Sequence, residues 1–338
     1  MWRKWFPRVD VDWTAELPDE VVQVLFDGCV SFIESNCSIT FPGRGRVPLV
    51  LRDAQKAVLW DWIKYRRNIC LKARQIGFST LAGAYTLWLT FGWPDRHVTM
   101  LSRTERESIK LLAKTKYAHK WLPDWVKLRG PDLLDKTRQS MTWSNDSKIE
   151  SLPSANDPAR GESVFLIIVD EWAFLPNCDE AWASIEQTAD IGGRVIGIST
   201  ANGEGNWFHR EWVKSQTGNS TFHGIFFPWS AVDSRTQEWY DEKVQDLPPW
   251  QRAQEYPSNP EEAFIGSGNP VFNLEVLRKF VETAPIGEFH IAARSKGQVE
   301  LIEGGNFLIW ETPNDQDRWS YVVGADIVTG KQIGRAHV

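Results

Sequence analysis

Residues Cys70–Thr80 read CLKARQIGFST, and this stretch decides the fold. The standard phosphate-binding loop, GxxxxGK[ST], follows a strand, opens a helix and places a lysine beside its second glycine. Gly77 and Ser79 match that pattern, whereas Phe78 takes the lysine position and Lys72 the first glycine position. Taken alone, the segment is compatible with a rearranged loop, a degenerate loop or an ordinary strand-to-helix turn.

The surrounding sequence predicts an α/β fold. From about residue 50, short apolar runs alternate with longer periodic stretches, which is typical of βα units around a parallel sheet. Helical spacing of apolar residues follows the loop and places Ser79 at a helix start, and a second helix is predicted over Glu105–Trp121. At least five strands are predicted: Asn68–Leu71, Arg96–Leu101, Val164–Val169, Arg194–Ser199 and Phe222–Phe227.

Composition limits the class of protein. The chain has 338 residues, 42% of them apolar, which suffices for one large or two ordinary globular domains. A net charge of -6 neither supports nor excludes nucleic acid, because a local basic groove can exist within that balance. Four cysteines without a CxxC pair predict free thiols in a reducing compartment. No apolar run reaches the roughly 18 residues of a bilayer span, so we expect a soluble, cytosolic protein without membrane contact.

A nucleoside triphosphate site needs a phosphate cradle at a helix N-terminus and a cation to neutralise charge. Lysine acts on phosphate as a flexible point charge, so Lys72 could reach the same oxygens from the other end of the loop, and Arg74 is a second possible cation. Phe78 is expected to point into the fold. The loop residues predicted to surround the nucleotide are Lys72, Arg74, Gln75, Gly77, Phe78, Ser79 and Thr80.

The segment Phe165–Glu171, FLIIVDE, predicts a buried strand that delivers two carboxylates to its C-terminal end. Asp170 suits a magnesium shell shared with the Ser79 hydroxyl, and Glu171 could orient or deprotonate an attacking water. An acidic pair at a strand end is more often a solvated turn. Its combination with an upstream phosphate-type loop makes the functional interpretation the stronger one.

A third segment, Val195–Gly203, reads VIGISTANG and predicts a strand that ends in Ser199 and Thr200. In motor ATPases, a hydroxyl-tipped strand beside the acidic strand senses the γ-phosphate. The same residues are also common in a turn that merely ends a strand, so both interpretations stand.

Two further residues are candidates by context. Gln55, in LRDAQKAVL, could pair with the donor and acceptor edge of adenine, although a lone glutamine on a helix is usually solvated. Arg160, in ARGES, could act as an arginine finger on a neighbouring subunit's nucleotide, with a plain surface arginine as the alternative.

In their order and spacing, these segments resemble the large terminase subunit of tailed bacteriophages, together with EYPSNPEEAF at Glu255–Phe264 and YVVGADIVTG near the C-terminus. In EYPSNPEEAF, Asn259 is predicted as a helix N-cap. The resemblance covers residues 45–332. It implies a P-loop NTPase domain of the RecA-like/ASCE type, with a parallel sheet flanked by helices, then a small linker subdomain and a truncated RNase H-like nuclease domain.

The resemblance implies four segments: an N-terminal segment (1–45), the ATPase domain (46–255), the linker subdomain (256–316) and the start of the nuclease (317–332). Residues 333–338, IGRAHV, match a reading frame of a sequencing adapter and are expected to be a non-native tail. Asp326 matches the first acidic ligand of a nuclease that uses two divalent metals, Mg²⁺ or Mn²⁺. Because the other acids are not in this sequence, the 338-residue chain is expected not to cut DNA.

The implied function is ATP hydrolysis, with Mg²⁺, coupled to translocation of double-stranded DNA into a procapsid. The implied partners are DNA, a portal protein, a small terminase subunit and further copies in a ring, expected to be a pentamer. The expected location is the host bacterial cytoplasm and transiently the portal vertex, not the mature virion. Two alternatives remain: a superfamily 2 helicase or translocase, and a non-catalytic docking protein with a degenerate loop.

Overall fold

In a computed structural model, the chain divides into two compact units, Met1–Pro270 and Val271–Val338. The structure describes residues 1–9, 11–153, 164–190, 192–265, 287–293, 299–303 and 307–309. The strands are β1 (Ser38–Phe41), β2 (Gly45–Pro48), β3 (Arg67–Lys72), β4 (His97–Ser102), β5 (Leu133–Lys136), β6 (Ser140–Trp143), β7 (Lys148–Pro153), β8 (Leu166–Asp170), β9 (Arg194–Ser199), β10 (His223–Phe227), β11 (Gly287–Ala293), β12 (Val299–Glu303) and β13 (Phe307–Ile309).

Helices connect most of these strands. They are α1 (Trp2–Trp5), α2 (Asp19–Asn36), α3 (Asp53–Lys64), α4 (Phe78–Gly92), α5 (Glu105–Lys120), α6 (Asp124–Lys127), α7 (Cys178–Ala189), α8 (Trp207–Gln216), α9 (Gln237–Val244), α10 (Pro249–Glu255) and α11 (Pro260–Ile265). Short 3₁₀ turns follow β8 and β10, at Trp172–Phe174 and Trp229–Ala231.

The first unit is built on an eight-stranded sheet in the order β10-β3-β9-β8-β4-β7-β6-β5. The first six strands in this order run parallel, and β6 and β5 add antiparallel pairs at one edge. All five predicted strands are therefore confirmed. The other three sheet strands, β5, β6 and β7, lie in a polar stretch without a strand prediction, because their burial is partial and comes from neighbouring elements.

Helices cover both faces of this sheet. Alternate residues of one strand enter different core clusters: Cys70 packs with residues of α2 to α5, whereas Ile69 and Leu71 pack with residues of α7 and α8. β3 is buried along its whole length. A strand covered on both faces has consecutive apolar residues, as at Ile69–Leu71 within the predicted strand Asn68–Leu71.

The helix after the phosphate-type loop begins one residue before the predicted start, at Phe78. The Phe78 side chain is 1% exposed and meets Phe227 edge to face, with ring centroids 4.8 Å apart. The prediction that Phe78 points into the fold is confirmed.

The C-terminal end of the first unit carries the predicted N-cap. The Glu262 backbone N–H donates to Asn259 Oδ1 at 2.8 Å, and the Glu262 carboxylate accepts from the Ser258 N–H at 2.7 Å. The carboxylate thus reaches back one residue beyond the cap. In the second unit, β12, β11 and β13 form an antiparallel sheet.

All four cysteines, Cys29, Cys37, Cys70 and Cys178, are buried free thiols, as predicted. Burial raises the pKa of the Cys37 and Cys70 thiols to about 12. These thiols therefore stay protonated at neutral pH and act as small apolar side chains.

Candidate functional site

Three neighbouring parallel strands bring the predicted site residues together at their C-terminal ends. β9 lies between β3 and β8, with Leu71 opposite Ser199 and Asp170 opposite Ile198. The carboxyl ends of parallel strands meet at one edge, so the loop after β3, the acids after β8 and the hydroxyls after β9 converge there. The hydroxyl-tipped strand β9 lies beside the acidic strand β8.

Lys72 faces the acidic pair. Its side chain is almost fully buried, and Nζ lies 3.4 Å from Glu171 Oε1. A buried ammonium requires a compensating charge, and Glu171 supplies it. Lys72 thus links the start of the phosphate-type loop to the carboxylate of Glu171, although the two residues are 99 positions apart in the sequence.

Arg74 is held in a different direction. Its Nη1 lies 2.8 Å from Glu255 Oε2, and its backbone N–H donates to the Glu255 carbonyl at 2.8 Å. The Arg74 side chain is 54% exposed. Glu255 therefore neutralises Arg74 at the rim of the site, whereas Lys72 lies inside it.

Asp170 is an unusual carboxylate. Burial and the neighbouring charge of Glu171 raise its pKa to about 6, while Lys72, the Ser79 hydroxyl and Lys114 oppose that rise. Its Oδ1 atom is buried and has no hydrogen-bond partner. A buried carboxylate oxygen without a donor is costly unless something else binds it.

The turn that carries Glu171 has a strained backbone and is hydrogen-bonded to β9. Glu171 has φ 55° and ψ 44°, in the left-handed region that costs a non-glycine residue about 1 kcal/mol or more. The Ala173 N–H donates to the Ser199 hydroxyl at 3.1 Å. Ser199 is fully buried, so its hydroxyl holds this turn and does not face the site cavity.

Thr200, by contrast, lines a cavity of about 180 Å³ beside Glu171. The lining also contains two arginines and two further carboxylates, so charge of both signs meets there. The lining residues are Arg74, Arg103, Glu107, Glu171, Phe174, Thr200 and Glu255.

The loop backbone turns sharply at two positions. Gln75 has φ 59° and Gly77 has φ 88°. A Cβ on residue 77 would lie 2.9 Å from Gln55 Nε2, so both the backbone angle and the space require glycine there. Thr80 follows in the first turn of α4, where its N–H bonds to the Gly77 carbonyl at 3.1 Å.

Gln55 is buried against this loop. Its Nε2 donates to the Gly77 carbonyl at 3.2 Å, and its Oε1 accepts from the Arg52 N–H at 3.1 Å. Both ends of the amide are thus engaged by the backbone, where they join the N-terminus of α3 to the loop. Recognition of adenine by Gln55 stays a prediction.

Several residues at the site are not among the predicted site residues. Arg235 and Arg52 donate to loop carbonyls, Glu255 pairs with Arg74, and the buried Gln254 donates to the Ala201 carbonyl at 3.0 Å. Arg52 could have been suspected from its place three residues before Gln55. Arg235 offers no such signal, because it is 161 residues from the carbonyl it contacts.

Two predicted residues, Arg160 and Asp326, lie outside the described residues. Within the described part of the chain, no group of three or more His, Cys, Asp and Glu residues could hold a metal ion by itself. Any magnesium ion at Asp170 would therefore also need ligands from a bound phosphate. No described helix is both long and apolar enough to cross a bilayer.

The fold belongs to the P-loop NTPase class. A phosphate-type loop follows β3, an acidic pair ends β8, and β9 lies between these two strands. The model of the N-terminal region of the T4likevirus-type terminase large subunit matches residues 69–278. The chain therefore belongs to the terminase large subunit family.

Solved structures agree on the fold. The ATPase domain of the large terminase of Thermus phage P74-26 aligns at 20% identity with a TM-score of 0.50, covering 60% of this chain and 89% of that chain. A point variant of the same domain aligns at 19% identity with a TM-score of 0.53, covering 64% of this chain and 94% of that chain. The large terminase of bacteriophage HK97 aligns at 13% identity and 0.55, covering 81% of this chain and 66% of that chain.

Proposed function

We propose that this chain is an ATP-hydrolysing motor subunit that moves double-stranded DNA into a viral procapsid. One observation carries the catalytic part: the ammonium of Lys72, the first residue of the phosphate-type loop, lies 3.4 Å from the Glu171 carboxylate. Family membership supports the DNA-packaging part.

The donor set fits Mg²⁺. The orphaned Oδ1 of Asp170 and the nearby Ser79 hydroxyl are hard oxygen ligands, and magnesium in nucleotide sites is bound by one or two such groups plus phosphate oxygens. When bound, Mg²⁺ would neutralise charge on the phosphates. The residues themselves would hold it at the C-terminal end of β8.

The roles of the other residues follow from their positions. Lys72, buried at the inner end of the loop, is the proposed phosphate cation. Arg74 is the weaker candidate because its side chain is 54% exposed and its pair with Glu255 is the shorter of the two ion pairs. Glu171 is the proposed group that orients or deprotonates water. Thr200, which lines the same cavity, is the proposed sensor, whereas Ser199 holds the Glu171 turn.

Glu171→Gln tests this assignment. We expect the variant to bind ATP with Mg²⁺ within about threefold of wild type and to lose at least 100-fold in turnover, as removal of a general base does. The matched control is Glu20→Gln, an exposed acid on α2, which should retain turnover. Turnover retained in Glu171→Gln would remove Glu171 from this role, and absence of ATP binding in wild type would contradict the whole proposal.

The remaining assignments are proposals from the family alone. They comprise the segment boundaries at residues 45, 255, 316 and 332, and the portal, small-subunit and ring partners. They also comprise an arginine finger at Arg160, a nuclease metal ligand at Asp326, and location in the host cytoplasm and at the portal vertex. Stimulation of ATP turnover by double-stranded DNA is the measurement that tests coupling to translocation.

A further inference from the structure

Arg235 holds the outer side of the phosphate-type loop. This residue lies between β10 and α9, and its Nη2 donates to the carbonyls of Arg74 at 3.0 Å and Gln75 at 3.1 Å. The guanidinium also lies over the Trp239 ring, 4.6 Å from its centroid, and contacts the Trp229 carbonyl at 3.4 Å. Stacking and three carbonyl contacts fix its orientation, because a planar guanidinium donates in a rigid fork.

The next two carbonyls are held from the other flank. Arg52 Nη1 donates to the Ile76 carbonyl at 3.3 Å, and Gln55 Nε2 donates to the Gly77 carbonyl at 3.2 Å. Four consecutive carbonyls, at residues 74–77, therefore each have a side-chain donor from outside the loop. Two segments remote in sequence, the start of α3 and the loop before α9, supply all of these donors.

This arrangement separates the two kinds of backbone dipole. A phosphate is attracted by N–H groups and repelled by carbonyl oxygens, so an anion-binding loop must keep its carbonyls away from the ligand. Gln75 and Gly77 have positive φ, and left-handed residues in a loop turn successive N–H groups into one concavity. External donors on the carbonyls stabilise that turn.

The charge on the outer side also favours an anion. Burial lowers the pKa of Arg235; of the two ionisable groups that act on its guanidinium, Tyr256 opposes this shift and the positive charge of Arg52 adds to it. Both guanidinium groups remain charged at neutral pH. They converge on one loop, where their summed field favours a polyphosphate.

We propose that Arg235 is a positioning residue for nucleotide binding: it holds the carbonyls of Arg74 and Gln75 outward, so that the N–H cradle exists before the ligand arrives. Arg52 acts in the same way on Ile76. The identity of the ligand as a nucleoside triphosphate rests on the proposed function, whereas the preformed loop does not.

The test compares Arg235→Ala and Arg235→Lys with a matched control in the full 338-residue chain. The control is Lys116→Ala, because Lys116 Nζ also donates to two consecutive carbonyls, Thr137 at 2.6 Å and Arg138 at 2.7 Å, in a turn outside the site. Amide hydrogen exchange at residues 74–77 is measured without nucleotide. Calorimetry with Mg²⁺ and ADP gives Kd, and steady-state kinetics with ATP gives KM and kcat.

We expect Arg235→Ala to raise loop exchange at least tenfold and to raise Kd and KM at least fivefold, with kcat at saturation changed less than twofold. The reason is that the loop of the variant becomes ordered only when the ligand binds, and the free energy needed to order it weakens binding. Arg235→Lys should recover part of the affinity, since an ammonium can reach one carbonyl but not hold both in a fork. Lys116→Ala should leave Kd and loop exchange unchanged.

Unchanged loop exchange in Arg235→Ala would overturn the inference. If the wild type binds ADP, a variant with the same Kd as the wild type would overturn it too. Faster exchange throughout the sheet would also overturn it, because Arg235 would then be a general stabilising residue. If wild type binds no nucleotide, the proposed function fails, while the exchange measurement still decides whether Arg235 preforms the loop.

Discussion

At the residue scale, burial and partners separate side chains that look equivalent in the sequence. Lys72 and Arg74 are both cations of one loop, yet Lys72 is buried beside Glu171 and Arg74 is neutralised at the rim by Glu255. Both cations are in ion pairs, but the Arg74 pair is shorter, at 2.8 Å against 3.4 Å, and the Arg74 side chain is 54% exposed, so solvent screens its charge. The structure therefore favours Lys72.

Lys72→Ala should weaken binding of ADP with Mg²⁺ at least tenfold, which corresponds to about 1.4 kcal/mol. Arg74→Ala should weaken it less than threefold, because the Arg74 side chain is 54% exposed and solvent screens its charge. Titration calorimetry on both variants makes the comparison. The reverse order of effects would assign the phosphate cation to Arg74.

The pKa of Asp170 predicts an acid limit for metal binding. Because burial and Glu171 raise this pKa to about 6, Asp170 becomes protonated below that pH and loses its affinity for a cation. We expect Mg²⁺-dependent nucleotide affinity to fall about tenfold per pH unit below pH 6. A Mg²⁺ titration at constant nucleotide between pH 5 and 8 measures it, and a flat profile would contradict the prediction.

The same pKa predicts that Asp170 destabilises the metal-free fold. A carboxyl with a raised pKa in the folded state loses stability as pH rises from about 4 to about 6, and the full cost, up to about 3 kcal/mol, applies above pH 6. Asp170→Asn should therefore raise Tm at pH 7 without magnesium while abolishing Mg²⁺-dependent binding. An unchanged or lower Tm would show that the carboxylate is not strained by burial.

At the element scale, the start of α4 depends on its contact with α3. Gly77 has positive φ and its Cα lies against the Gln55 amide, so the loop and the N-terminus of α3 are built as one piece. Helix N-termini leave backbone N–H groups without partners inside the helix. In α4, the N–H groups of Thr80 and Leu81 bond the Gly77 carbonyl, each at 3.1 Å, so this carbonyl joins the loop to the helix.

Gly77→Ala should lower stability and nucleotide affinity together, because residue 77 must both pay about 1–2 kcal/mol for its left-handed angle and displace Gln55. Gly218→Ala is the matched control, with φ 72° and nothing within 4 Å of the added Cβ. The control should show only the backbone cost. Equal losses in the two variants, with binding retained, would contradict a role for the Gly77–Gln55 contact.

At the scale of the whole molecule, one buried arginine joins the N-terminal segment to the sheet. Arg194, at the start of β9, is 1% exposed and donates to five backbone carbonyls. These acceptors come from the N-terminal segment and from the end of α3: Trp13, Ala15, Trp62, Ile63 and Tyr65. The first unit is thereby tied together by contacts more than 120 residues apart in sequence.

Arg194→Met should lower the free energy of unfolding by about 3–5 kcal/mol, because several buried carbonyls lose their donor at once. Urea unfolding followed by circular dichroism measures this change. Arg138→Met, at an exposed position, is the control and should change it by less than about 0.5 kcal/mol. A loss below about 1 kcal/mol in Arg194→Met would show that water replaces the guanidinium.

The sequence alone determined the α/β class, the five core strands, the loop with Gly77 and Ser79, and the acidic end of β8. These features are local: an apolar run, a turn that needs glycine and a strand-ending acid pair are each visible within about ten residues. Only the tertiary structure decided that β9 lies between β3 and β8, that Lys72 pairs with Glu171 while Arg74 pairs with Glu255, and that Arg235 contacts the loop carbonyls. The physical reason is that strand order, burial and ion pairing depend on which distant segments pack together. A local sequence pattern does not specify those long-range contacts.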